Sequence, residues 1–266
     1  MKALLPLTLL VTLLFSTLQC QPVEVRKGMA QFDQAFLPVL LYTYAGDMHQ
    51  AKRAIFYLEF RWQRLQDQSS YYTNKDKDWQ ETFDRIDQWL GDAYYAIDAN
   101  CQDIALAELE HVRYELLTLR ERQHLDYYLD YLYNFQYSTD VLRETAGDEM
   151  LCLLEWDDLE QQAATMNTYW QQVLAQTADA DMFELDAQKL GLLQQRLREM
   201  SHIIAQINTA LDAADRRLVE AACEKIEPIF LDILRVFGNF NASATYFAKD
   251  NAATQQPERY YSVHQN

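Results

Sequence analysis

Apolar side chains recur every three and four residues along most of this chain, and this spacing predicts amphipathic helices. No stretch alternates apolar and polar residues for long, as a half-buried strand would. The pattern therefore predicts an all-α fold in which the apolar faces pack as an antiparallel helical bundle. The five clearest stripes are Met48, Ala51, Ile55, Leu58, Trp62 and Leu65; Trp79, Phe83, Ile86, Leu90, Ala93 and Ile97; Ala105, Leu109, Val112, Leu116 and Leu119; Leu193, Leu197, Met200, Ile204, Ile207 and Leu211; and Val219, Cys223, Ile226, Phe230, Ile233 and Phe237.

The connections between these stripes are short. Turns at Asp98–Asn100 and Asp212–Ala214 predict two helical hairpins, because a short connection favours antiparallel neighbours. The polar residues 68–78 are expected to form a loop. Three of the six glycines fall between periodic segments and predict helix ends: Gly46, Gly147 and Gly238.

The two hairpins resemble one another in sequence. A shift of 114 residues lays Trp79–Arg120 over Leu193–Leu234 without a gap and keeps every stripe position apolar. Any two helical hairpins align when their heptads coincide, but the shared turn Ala-x-Asp-Ala at Ala96–Ala99 and Ala210–Ala213 favours a duplication. The predicted organisation is a signal peptide over 1–20, a first helical repeat over 30–122, a Tyr-rich bridging helix over 123–147, a second helical repeat over 148–238, and a polar, mobile tail over 239–266.

The N-terminal residues have the layout of a signal peptide. Lys2 precedes the apolar run Ala3–Leu18, and Cys20 follows. The run is short for a membrane span, and no later segment is long and apolar enough to be one.

Cys20 lies where a bacterial lipoprotein carries its acylated cysteine, but Thr17–Gln19 lack the small residues expected there. Acylation of Cys20 and ordinary cleavage near it remain alternatives. The protein is expected in the cell envelope, as a periplasmic protein or outer-membrane lipoprotein, or in the secreted space.

Charge excludes two classes of partner. The chain has 40 acidic and 23 basic residues and a net charge of −17. Binding to nucleic acid or to an anionic membrane surface needs clustered Lys and Arg, which this balance disfavours. The charge fits a soluble protein but does not identify its partner.

A Glu-x-x-His pattern is the sharpest candidate for chemistry. On a helix it places both side chains on one face, as in di-iron carboxylate bundles, where the pairs point inward. Here His111 and His202 fall away from the apolar stripes, so the pairs are expected on solvated faces. A metal-binding or redox bundle is the alternative function, with Glu108, His111, Glu199 and His202 as its candidate ligands. The pattern occurs at Glu108/His111, Glu121/His124 and Glu199/His202.

The stripes contain no titratable Asp, Glu, His, Lys or Arg, which argues against a buried catalytic acid or base. No catalytic residue and no cofactor is therefore predicted. Five tyrosines lie close together in the predicted bridging helix, and two interpretations stay open: rings packed inward, or an exposed aromatic surface for a protein or glycan partner. The favoured function is an exported, non-enzymatic interaction or scaffold protein. The five are Tyr127, Tyr128, Tyr131, Tyr133 and Tyr137.

Overall fold

The computed structural model describes residues 21–147 and 156–246, with side chains from residue 24 onward. The described chain forms nine helices, together with a helical stretch over residues 240–246, and no strand, which confirms the all-α prediction. The predicted signal peptide with Cys20 lies outside the described residues, as do residues 148–155. The helices are α1 (Gln21–Tyr44), α2 (Met48–Thr73), α3 (Lys77–Asp98), α4 (Gln102–Arg122), α5 (Tyr128–Gly147), α6 (Trp156–Ala175), α7 (Ala187–Asp212), α8 (Arg216–Cys223) and α9 (Ile226–Phe237).

Helix α1 lies at the centre of the packing. It contacts α2, α4 and α9, and almost every side chain from Met29 to Leu41 is buried. A helix that is apolar on all sides is stable only when other elements surround it. It shows no clear single stripe in the sequence, and for that reason the periodicity did not predict it.

The turns that close the two predicted hairpins have the same backbone geometry. Asn100 (φ 55°) and Ala214 (φ 50°) both adopt the left-handed conformation. In each turn the next N–H, of Cys101 or Asp215, bonds to the carbonyl five residues back, at 2.9 and 3.0 Å respectively. This helix-ending motif is common, and the turns after α1 and α4 use it too. The shared geometry is compatible with a duplication.

The two hairpins differ in their second helix. Helix α4 is continuous, whereas the residues that match it at a shift of 114 form two helices, α8 and α9. The break lies at Glu224 and Lys225. Pro228 explains it, because proline lacks the N–H that would bond to the Glu224 carbonyl and its ring crowds that carbonyl.

Two predicted irregular segments are wrong in part. The polar residues 68–78 are mostly helical: α2 runs to Thr73 and α3 starts at Lys77, so the loop is 74–76. Most of the polar residues in 68–73 and 77–78 lie on the solvent-exposed side of these two helices, so their polarity does not interrupt the helices. The predicted mobile tail is also helical over residues 240–246, where Phe240 packs against Tyr42 with ring centroids 5.5 Å apart. The rest of that tail lies outside the described residues.

The Tyr-rich helix begins later than predicted and packs towards the second predicted repeat. Helix α5 contacts α6 and α8. Among the residues that the structure describes, no helix is long and apolar enough to cross a bilayer.

Candidate functional site

The Glu-x-x-His residues are engaged locally. His111 Nδ1 lies 3.5 Å from Glu108 Oε2 on α4, and the half-exposed imidazole packs on the ring of Trp89 with centroids 4.4 Å apart. His124 lies beyond the end of α4 with a φ of 52°, so Glu121 and His124 do not share a helical face.

The pair on α7 has separate partners. Glu199 accepts hydrogen bonds from Gln195 and Arg196, while His202 contacts Gln206 at 3.0 Å. Across residues 21–147 and 156–246, no three His, Cys, Asp or Glu side chains gather as a metal site would require. Of the four candidate ligands, only Glu108 and His111 contact each other, while Glu199 and His202 each contact other residues of α7.

A buried group of charged residues joins three parts of the chain, and we call Asp33, Arg120, Tyr127 and Asp130 the ion cluster. Arg120 at the end of α4 has no exposed surface. Its Nε donates to Asp130 Oδ2 at 2.8 Å and its Nη2 to Asp130 Oδ1 at 2.5 Å. Asp33 Oδ2 on α1 lies 4.0 Å from Arg120 Nη1 and accepts a 2.6 Å hydrogen bond from the Tyr127 hydroxyl.

The ion cluster holds two carboxylates and one guanidinium. Burial raises the pKa of Asp33 to about 6, although Arg120 and the Tyr127 hydrogen bond lower it. Burial also raises the pKa of Asp130 against the opposing effect of Arg120. The Arg120 guanidinium lies 4.3 Å from the centre of the Tyr127 ring, a cation–π contact. Arg120 Nη1 makes no hydrogen bond, and the ion pair with Asp130 and the Tyr127–Asp33 hydrogen bond are the contacts that join these parts of the chain.

Sequence reasoning missed the ion cluster. The stripes themselves contain no charged residue, and all four members of the ion cluster lie outside them. Arg120 directly follows the stripe residue Leu119, and Asp33 lies inside the apolar run of α1. A lone carboxylate within an otherwise apolar run is the signal that could have revealed it.

A second polar group lies nearer the surface. The Tyr44 hydroxyl donates to Glu110 Oε1 at 3.3 Å, and Arg113 pairs with the same carboxylate. Burial raises the pKa of Glu110, opposed by Arg113, and burial raises the pKa of Tyr44 to about 12. The Arg113 guanidinium also lies 4.6 Å from the centre of the Tyr133 ring.

The tyrosines of the 123–147 segment mostly point inward. Tyr127, Tyr128 and Tyr133 are buried, and Tyr131 donates to Asp126 at 2.9 Å. Tyr137 is 74% exposed. The packing interpretation therefore holds for three of the five rings.

An open groove between α7 and α8 has a volume of about 490 Å³. Half of its ten lining residues are alanines, and Leu218 on α8 is 55% exposed beside them. We call this the α7–α8 groove, and the lining residues used below are His202, Ala205, Ala213, Leu218, Ala221 and Lys225.

The corresponding position of the first hairpin also carries an exposed apolar side chain. Ile104, which matches Leu218 at a shift of 114, is 56% exposed.

Comparisons with protein-family models, curated proteins and solved structures find no match to this chain.

Proposed function

We propose that this protein is an exported, non-enzymatic helical-bundle protein that acts as an interaction partner or scaffold, and that it binds another protein through the α7–α8 groove. The observation that carries the proposal is the apolar groove itself, with Leu218 exposed beside it. Fully burying an exposed leucine contributes about 1.5–3 kcal/mol, and covering Leu218, which is 55% exposed, would contribute roughly half of that. A partner that covers the groove would gain this contribution.

The chemistry of the interior supports a structural role for its charges. The ion cluster is closed to solvent at Arg120, and its carboxylates are held by a guanidinium and a phenol. A general acid or base must reach a substrate atom, usually within 2.6–3.2 Å or through one water. The alternative of a metal or redox bundle gains no support from Glu199 or His111, since each already has a local partner.

The export part of the proposal rests on the sequence of residues 1–20. Mass spectrometry of protein from its native source should show either a new N-terminus near Cys20 or an acyl group on Cys20. If Cys20 is acylated, Cys20→Ser should release the protein from membranes. An intact Met1 on the native protein would contradict export by this route.

Site-specific crosslinking tests the interaction. A benzophenone amino acid in place of Leu218 should give one covalent adduct in the native host, and adding Ala221→Trp should abolish that adduct by filling the groove. The same amino acid at Tyr137 tests the aromatic surface on α5, and at the exposed Lys27 of α1 it serves as the control. An adduct from Tyr137 but none from Leu218 would place the interaction on α5 instead.

A further inference from the structure

The α7–α8 groove has the length and periodicity of a helix-binding surface. Its lining runs from His202 on α7 to Ala213 just after that helix, and from Leu218 on α8 to Lys225 in the break before α9. Residues three, four and seven apart share one helical face, so each wall is a continuous face. Residues 202–212 of α7 extend about 16 Å, or roughly three turns. An amphipathic helix binds in such a groove with its apolar face towards the protein.

The shape of the groove also suits a helix. Five of its ten lining residues are alanines, whose short side chains leave space above the helices, while Leu218 is exposed beside them. A row of side chains on a docked helix can pack into the space over the alanines, in the same way that the side-chain ridges of one helix pack into the grooves of another. Leu218 would then contact the apolar face of that helix.

The charge in the groove is opposite to that of the protein as a whole. Its titratable lining residues are His202 and Lys225, both basic, in a chain with 40 acidic and 23 basic residues. Lys225 donates to the neutral amide of Gln206 at 3.3 Å. Its ammonium keeps two further donors for a partner. At physiological salt, charges more than about 8 Å away are largely screened, so a docked helix responds mainly to the charges of the groove and its immediate surroundings.

We propose that the α7–α8 groove binds an amphipathic helix of a partner protein whose apolar face is flanked by carboxylates, one of which pairs with Lys225. This inference rests on the proposed function and adds the chemistry of the partner. A second copy of this chain fits less well, because it would bring two basic grooves and two chains of net charge −17 together.

Three synthetic peptides test the partner's chemistry on the full-length mature protein. They share one 18-residue helical design with leucines at i, i+3, i+4 and i+7, and carry Glu, Gln or Lys at the flanking positions. Fluorescence anisotropy at 150 mM salt should show the Glu peptide binding about 2–5-fold more tightly than the Gln peptide, the value of one exposed ion pair. The Lys peptide should bind most weakly.

Variants of the protein locate the effect. Lys225→Glu should reverse the order of the Glu and Lys peptides, while Lys27→Glu, with the same charge change on α1, should leave it unaltered. Ala221→Trp should weaken all three peptides. Leu218→Ala should weaken them as well, and because Leu218 is exposed this variant should unfold with the same midpoint as wild type.

The outcomes separate the inference from the proposed function. Equal affinity for the three peptides would overturn the acidic preference. If the peptides do not bind, or bind equally well to wild type, Ala221→Trp and Leu218→Ala, helix docking in the groove is overturned. The Leu218 crosslink would still decide whether the groove contacts a protein. Sedimentation that shows a dimer of the wild type and a monomer of Ala221→Trp would make a second copy the occupant and would also overturn the inference.

Discussion

Arg120 and Asp130 form a bidentate ion pair in the interior, although one residue lies in the last turn of α4 and the other in the first turn of α5. The pair closes the bend between these helices. Asp33 approaches the same guanidinium from α1, at 4.0 Å, so a single side chain ties three helices together.

Removing the guanidinium should destabilise the protein strongly. Arg120→Leu leaves two buried carboxylates without their cation, and breaking a buried pair in this way usually costs about 3–5 kcal/mol. Urea unfolding measures the loss. Arg122→Leu, two residues away and 40% exposed, should change the free energy of unfolding by less than about 0.5 kcal/mol. Equal effects of the two variants would contradict the structural role of the ion cluster.

Asp33 should make the protein more stable in mild acid than at neutral pH. Its pKa is raised from 3.8 to about 6, so the folded state binds this proton more tightly than the unfolded state does. The stabilisation is complete below pH 3.8 and is lost as the pH rises through 6, which amounts to about 1.4 kcal/mol between pH 5 and pH 7.5.

The control for that effect is Asp33→Asn, which keeps an acceptor for Tyr127 but has no proton to release. Unfolding at pH 5, 6 and 7.5 should show a shallower pH dependence for this variant than for wild type. Asp130 and Glu110, whose pKa values burial also raises, should leave a residual slope of the same sign. If the free energy of unfolding depends on pH equally in both proteins, a group other than Asp33 binds the proton.

The histidines should matter little for stability. His111→Ala and His202→Ala lie at exposed positions and should stay within about 0.5 kcal/mol of wild type. The buried stripe residues Leu116 and Ile204 are the comparison, and their replacement by alanine should cost about 2–5 kcal/mol.

Added iron, zinc, manganese or copper should leave the melting temperature unchanged. A ligand specific for the folded state at 100 times its Kd would add about 2.7 kcal/mol, which a thermal scan would show. A metal-dependent rise in melting temperature that disappears in His111→Ala or His202→Ala would support the metal-bundle alternative.

Pro38 should control how the C-terminal segment attaches. Proline cannot donate to the carbonyl four residues back, so the Gln34 carbonyl accepts a 2.8 Å hydrogen bond from the Asn239 N–H instead. Pro38→Ala supplies a competing N–H within α1. The Asn239 amide should then exchange with solvent up to about tenfold faster, in line with the net value of one hydrogen bond. Unchanged exchange in Pro38→Ala would show that other contacts hold the segment.

The sequence by itself determined those helices that have one clear apolar stripe, and most of the residues that they bury. All six residues of the stripe from Trp79 to Ile97 are buried as predicted. Helical periodicity is a local property of the chain, so neighbouring residues suffice to predict it. Pro228 and the left-handed turn residues likewise act within one or two turns of themselves.

Only the tertiary structure decided which polar residues lie inside and which apolar residues stay outside. Asp33 is 87 positions from Arg120 and 94 positions from Tyr127 along the chain, so no local pattern relates Asp33 to either residue. The α7–α8 groove likewise exists because nothing in the described chain covers Leu218, although the stripe pattern of α8 predicts only its buried face. Burial depends on which elements meet in space, and that is set by the packing of the whole chain.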